Sequence, residues 1–110
     1  MSVDIANLFN NVLPDVISEN PGLVRRMTFI INIEGAGKWF LDFAANPQTC
    51  YPYTLERADC TVTMKAEIFE EFIKNPLKNG MSLAASGRIK VSNNDMRARN
   101  LLDLFDLVKS

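Results

Sequence analysis

The run Met27-Thr28-Phe29-Ile30-Ile31-Asn32-Ile33-Glu34-Gly35-Ala36-Gly37-Lys38-Trp39-Phe40-Leu41-Asp42-Phe43 spaces its apolar residues two apart in each half. Met27, Phe29, Ile31 and Ile33 alternate with Thr28, Ile30, Asn32 and Glu34; Trp39, Leu41 and Phe43 alternate with Phe40 and Asp42. Successive side chains of a strand point to opposite faces, so each half predicts a strand with one apolar face. Gly35-Ala36-Gly37 between them predicts a hairpin connection. An antiparallel pair here commits the chain to a sheet, which the flanking segments must extend or cover.

Upstream, Ser2 is placed to cap a helix, and Ile5, Leu8, Phe9 and Val12 fall at i, i+3, i+4 and i+7, a single apolar stripe. Pro14 predicts a second short turn carrying Val16 and Ile17, ended by Asn20-Pro21-Gly22. Downstream, Cys50, Tyr51, Tyr53 and Thr54 suit a strand that Pro47 and Pro52 confine to a sheet edge. Cys60-Thr61-Val62-Thr63-Met64 alternates again, which makes Cys60 a buried strand thiol. Residues 65–74 predict a helix with Ile68, Phe69, Phe72 and Ile73 on one side and Glu67, Glu70, Glu71 and Lys74 on the other, stopped by Asn75-Pro76. Residues 77–86 read as a short apolar helix, and Gly87 leads into a strand Arg88-Ile89-Lys90-Val91. Ser92, Asn93 and Asn94 supply a turn and a cap for a last helix over 94–108. This order indicates an α+β domain with helices mainly on one sheet face.

The whole chain, 1–110, fits one domain, and 47% hydrophobic with 23% charged residues is ordinary globular composition. There is no histidine, which removes Ser-His-Asp and Cys-His arrangements and every metal site that needs imidazole. Twelve basic against thirteen acidic residues give a net charge of −1, with no bias toward nucleic acid. Cys50 and Cys60 have no metal-ligand spacing and are too few for a disulfide framework, so no metal or cofactor is expected. No run approaches the ~18 apolar residues of a membrane span, and Asp4 stands where a signal peptide has basic residues. The closing Val-Lys-Ser is no peroxisomal address, so the expected location is cytoplasmic.

Apolar surface is in surplus. Ala98, Leu101, Leu102, Phe105 and Val108 already make a full stripe on the last helix, and Leu104 and Leu107 widen it. Met81–Ala85 adds a second apolar element beside Phe69, Phe72 and Ile73. Either these groups pack against one another, or they line an apolar cavity in which a flexible methionine suits a variable ligand. On composition alone, core packing is the preferred reading.

Three ordered segments shift that preference. Ala58-Asp59-Cys60-Thr61-Val62-Thr63-Met64, then Asn75-Pro76 with Gly87-Arg88-Ile89-Lys90-Val91, and upstream Gly37-Lys38-Trp39-Phe40-Leu41-Asp42, together resemble the sterol carrier protein type 2 (SCP-2, sterol-binding) domain family. The order and spacing cover nearly the whole chain. Ser86 stands at the polar position before the family's glycine, and Ser92-Asn93-Asn94 replaces a glycine that often follows the last strand. The resemblance implies a five-stranded mixed sheet covered by helices and enclosing an apolar tunnel for a fatty acid, fatty acyl-CoA, sterol or other lipid. It implies non-catalytic binding or transfer, with lipid as the partner and transient contact with membranes. On matching positions, Ile68, Phe69, Phe72, Ile73, Met81, Leu83, Ala84, Leu101, Leu104, Phe105 and Val108 become tunnel walls, and the last helix becomes the gate. The alternative is an accessory or protein-interaction domain on the same fold, its cavity filled by side chains.

An anionic head group needs a cation at the tunnel mouth. Arg25 and Arg26 before the first long strand, Arg88 and Lys90 on the last, and Arg97 and Arg99 opening the last helix are the candidates, with a solvated face the stronger reading for Lys90, which alternates with inward Ile89 and Val91. Positive charge at a helix N-terminus is unfavourable unless an anion accompanies it, which singles out Arg97 and Arg99. The acidic pairs Glu70-Glu71 and Asp103 with Asp106 lie on polar helix faces, where solvation is the ordinary role. Asp42 and Asp59 are expected to be buried, hydrogen-bonded structural groups.

Overall fold

The alternating hairpin forms: β1 (Thr28–Glu34) and β2 (Gly37–Asp42) pair antiparallel, with Ile31 opposite Trp39. The computed structural model describes residues 4–24, 26–45, 47–53, 57–92 and 99–108. The turn closes through Gly35, at φ +92°, and an Ala36 N–H to Ile33 carbonyl hydrogen bond of 2.9 Å. At Gly37 (φ +150°) a Cβ would stand 2.8 Å from the Trp39 ring, so glycine lets the indole fold back over its own strand.

β3 (Thr49–Pro52) adds antiparallel to β2, and Pro52 sits harmlessly on that outer edge. β4 (Cys60–Lys65) lies on the other side of β1 and runs parallel to it, and the two-residue β5 (Lys90–Val91) pairs antiparallel with β4. The result is a five-stranded mixed sheet in the order β3-β2-β1-β4-β5. Asp59 locks the parallel seam: its carboxylate accepts the Thr28 N–H at 2.9 Å, and its own N–H donates to Thr28 Oγ1 at 3.0 Å. Asp42 accepts the Ala44 and Ala45 N–H groups at the end of β2. Both carboxylates are structural as expected, but neither is buried, because each caps a strand end at the sheet margin rather than entering the core.

The helices cover one face. α1 (Ile5–Asn7), a π-helical turn (Leu8–Val12) and α2 (Leu13–Glu19) follow without a break. Asp4 caps the start, its carboxylate accepting the Asn7 N–H at 3.0 Å; Ser2 lies outside the described residues. The π turn corrects the expected stripe. The Leu13 N–H reaches the Leu8 carbonyl, so residues five apart superpose, Leu13 is fully buried, and Val12 turns outward. Pro14, in the first turn of α2, has no N–H to donate back into the π turn, and the Phe9 carbonyl five residues before it accepts the Cys50 thiol.

α3 spans Ala66–Phe72 and α4 spans Pro76–Ala85. The Asn75 side chain caps α4 by accepting the Lys78 N–H, with Pro76 in the first turn. The expected strand over 88–91 is shorter, and the reason is chemical. Gly87 (φ +80°) donates to the Ala84 carbonyl and Arg88 to the Leu83 carbonyl, a Schellman closure of α4, and Ile89 N–H also returns to Leu83. Amides spent on the helix end cannot pair with β4, so β5 starts at Lys90. α5 spans Asn100–Leu107, and the rest of the expected 94–108 helix up to residue 98 lies outside the described residues.

The inner sheet face and the helices share one apolar cluster. Phe9 stacks on Trp39 with centroids 4.5 Å apart and also meets Phe69 and Phe105; Phe72 meets Phe69 and Phe105. Trp39 completes its polar needs by donating Nε1–H to Asn10 Oδ1 at 2.8 Å. Cys60 is fully buried, as the alternation predicts, and no buried polar or charged residue occurs among the described residues.

Candidate functional site

On the β1-β4-β5 side the inner layer is incompletely filled, leaving a cavity of about 300 Å³. Its floor is the sheet: Ile31 from β1, Val62 and Met64 from β4, then Ile89 and Val91. Gly80, Met81 and Ala84 of α4 form one wall, and Leu101, Leu102 and Phe105 of α5 form the opposite one, with Phe72 closing the end of α3. Met81 and Ala84 are exposed as well as lining, and so is Arg99, which places the mouth between α4 and the start of α5.

Gly80 explains how the two helices come so close. A Cβ there would lie 2.6 Å from Leu102 Cδ2 and 3.1 Å from Phe72 Cε1. The lining is otherwise aliphatic and aromatic, and Arg99 is the charged residue among those described around it. Such a space suits an apolar body, with one place for a negative or hydrogen-bonding end.

Of the residues expected at the site, Phe72, Met81, Ala84, Leu101 and Phe105 surround this cavity. Phe69, Ile73 and Leu104 are fully buried and Leu83 is buried in the core behind it, and Ile68 and Val108 are half-buried against that core. They support the wall without facing the space. Arg99 is at the mouth. Arg26 is exposed in a separate, more polar depression beside Gln48, at the end of β2. Arg25 and Arg97 lie outside the described residues.

The sheet floor and Leu102 were not among the expected residues. The alternation that buries Ile31, Val62 and Met64 is plain in the sequence, but it gives the face of the sheet and not the stretch of that face left uncovered. No group of histidine, cysteine or acidic residues placed to hold a metal ion occurs among the described residues. Nor is any described helix long and apolar enough to cross a membrane.

Comparison with known proteins sets this geometry in context. The model of the SCP-2 sterol transfer family matches residues 11–106. None of the curated proteins matches the chain in sequence. Among solved structures, sterol carrier protein 2-like 2 from Aedes aegypti superposes with a TM-score of 0.68 at 20% identity, over 91% of this chain and 94% of its own. Aedes aegypti sterol carrier protein 2, in complex with the C16 fatty acid palmitate, gives 0.66 at 16% identity, over 96% and 97%. The ubiquinone synthesis protein UbiJ-SCP2 gives 0.60 at 20% identity, over 94% and 88%. At these identities the likeness is one of fold.

Proposed function

The chain belongs to the SCP-2 sterol transfer family, and from that membership we propose that it holds one hydrophobic ligand in the cavity between α4, α5 and the sheet and carries it without reacting with it. The observation that carries this reading is the cavity itself: about 300 Å³ bounded by apolar side chains, with a cation at the mouth. Burial of a chain contributes about 0.8 kcal/mol per CH₂ before ordering costs, so an acyl chain is held without any catalytic group. The palmitate bound by the Aedes neighbour is a ligand of this kind. An acyl chain would lie along Ile31, Val62 and Met64, and its carboxylate would meet the Arg99 guanidinium. Loading would require α5 to move from α4, with Leu102 withdrawing from Gly80.

Displacement of a fluorescent fatty acid or sterol tests the reading. Saturable binding is expected, with added salt weakening capture of the acid more than that of the sterol. Ala84→Trp places a large ring in the mouth from an exposed position and should reduce affinity at least tenfold while the fold persists. Absence of saturable binding for every lipid class, together with no lipid in an organic extract of the purified protein, would favour the accessory-domain reading instead.

A further inference from the structure

The cavity between α4, α5 and the sheet has a definite capacity. An apolar protein cavity of about 150 Å³ takes up one benzene ring, which is six carbons. By the same measure a space of about 300 Å³ takes up about twelve. That is the lower end of the usual range for small-molecule sites. A sterol's fused rings and side chain carry more than twice as many carbons, and the rings cannot fold to fit.

The inner end of this space is a fixed wall. Phe72 and Phe105 meet there edge to face, with centroids 5.4 Å apart, and each also meets Phe69. Phe9, from the N-terminal helical run, backs Phe69 and Phe105. All four rings are buried, and close-packed rings yield little to a chain pressing on them. The opposite end is open at Arg99, six residues before Phe105 and so about 9 Å away along the helix axis. Sixteen carbons at full extension span roughly twice that distance. No buried polar or charged residue occurs among the described residues, so a head group has no seat at the inner end and stays with Arg99. A chain anchored there runs inward until its methyl end meets Phe72, and any further carbons remain outside the mouth.

We infer that Phe72, backed by Phe69 and Phe105, limits the acyl chain this cavity encloses to about twelve carbons. Affinity then grows with chain length only up to that point, and sterols are held poorly. The inference rests on the carrier reading and adds to it a length limit and the side chain that imposes it.

Competition against a fluorescent fatty acid tests the limit, using cholesterol and saturated acids of eight to sixteen carbons, each below its micelle-forming concentration. From eight to twelve carbons each added methylene should tighten binding about fourfold, and from twelve to sixteen the whole gain should stay below about threefold. Cholesterol should bind about tenfold more weakly than the twelve-carbon acid, or weaker still. Phe72→Ala vacates the room of one ring, into which its neighbours relax in part, and should carry the rise onward by about four carbons. If circular dichroism shows that variant unfolded, Phe72→Leu takes its place and should carry the rise onward by about two. A gain that continues unbroken to sixteen carbons in wild type overturns the limit and leaves the carrier reading standing. So does cholesterol binding as tightly as the twelve-carbon acid, or a plateau that a folded Phe72 variant leaves in place. Absence of saturable binding at every length refutes the carrier reading and the limit together.

Discussion

Cys50 is buried on β3 with its Sγ donating to the Phe9 carbonyl at 3.4 Å, and burial pushes its thiol from 9.0 up to about 12. A thiolate there would lose water and gain no cation. The folded chain therefore holds this proton more tightly than the unfolded chain does. The stability that follows is intact below about pH 9 and is lost as pH rises toward 12, at up to about 1.4 kcal/mol per pH unit. In urea titrations between about pH 8 and 11, wild type should lose stability more steeply than Cys50→Ala; parallel profiles would show that the thiol ionises in place. Phe69 and Phe72 mark how far a single residue's role can be read from sequence. Both fall on the apolar side of α3, yet Phe69 is enclosed by Phe9, Phe72 and Phe105 while Phe72 reaches the cavity. Both rings meet Phe105 of α5; it is Phe9, from the N-terminal helical run, that closes over Phe69, and no local pattern around α3 contains it.

At the scale of elements, the contact between α4 and α5 depends on Gly80. Alanine there gains about 0.5–1 kcal/mol of helix preference and meets Leu102 Cδ2 at 2.6 Å, the far end of a side chain that can turn. The open direction for Leu102 is the cavity. Gly80→Ala should thus unfold within about 1 kcal/mol of wild type while fatty-acid affinity falls several-fold; denaturant midpoints and displacement assays read the two effects separately. Unchanged affinity would place the ligand away from this contact. Among elements, β1, β2 and β4 were legible because two-residue alternation is a local signal, and α3 because its apolar and charged sides are distinct. The π turn was not, since a five-residue hydrogen bond leaves no mark in residue types until Val12 is seen outside and Leu13 inside. Nor was the short β5, whose length is fixed by which amides the end of α4 has already taken.

At the scale of the whole molecule, the sheet order decides how the parts cohere. β1 and β2 join through a turn that brings Ile33 opposite Gly37, whereas the parallel partners of β1 are distant in sequence: Phe29 faces Cys60. Apart from Ile31, every described residue around the cavity belongs to the stretch from Val62 to Phe105. The cavity thus exists only once the second half of the chain has docked along one side of β1. Long-range pairing is slow to form and short edge strands are quick to open. The hairpin should mature first and the ligand space last, and the native protein should breathe along the same line. In amide hydrogen exchange, β1 and β2 should be the most protected, while α4, β5 and α5 exchange earlier and gain protection when fatty acid is bound. Uniform protection across both halves would contradict this. With that order of exchange, the parallel seam sealed by Asp59 and Thr28 would also be a boundary in time, between structure that persists and a compartment that forms last and opens first.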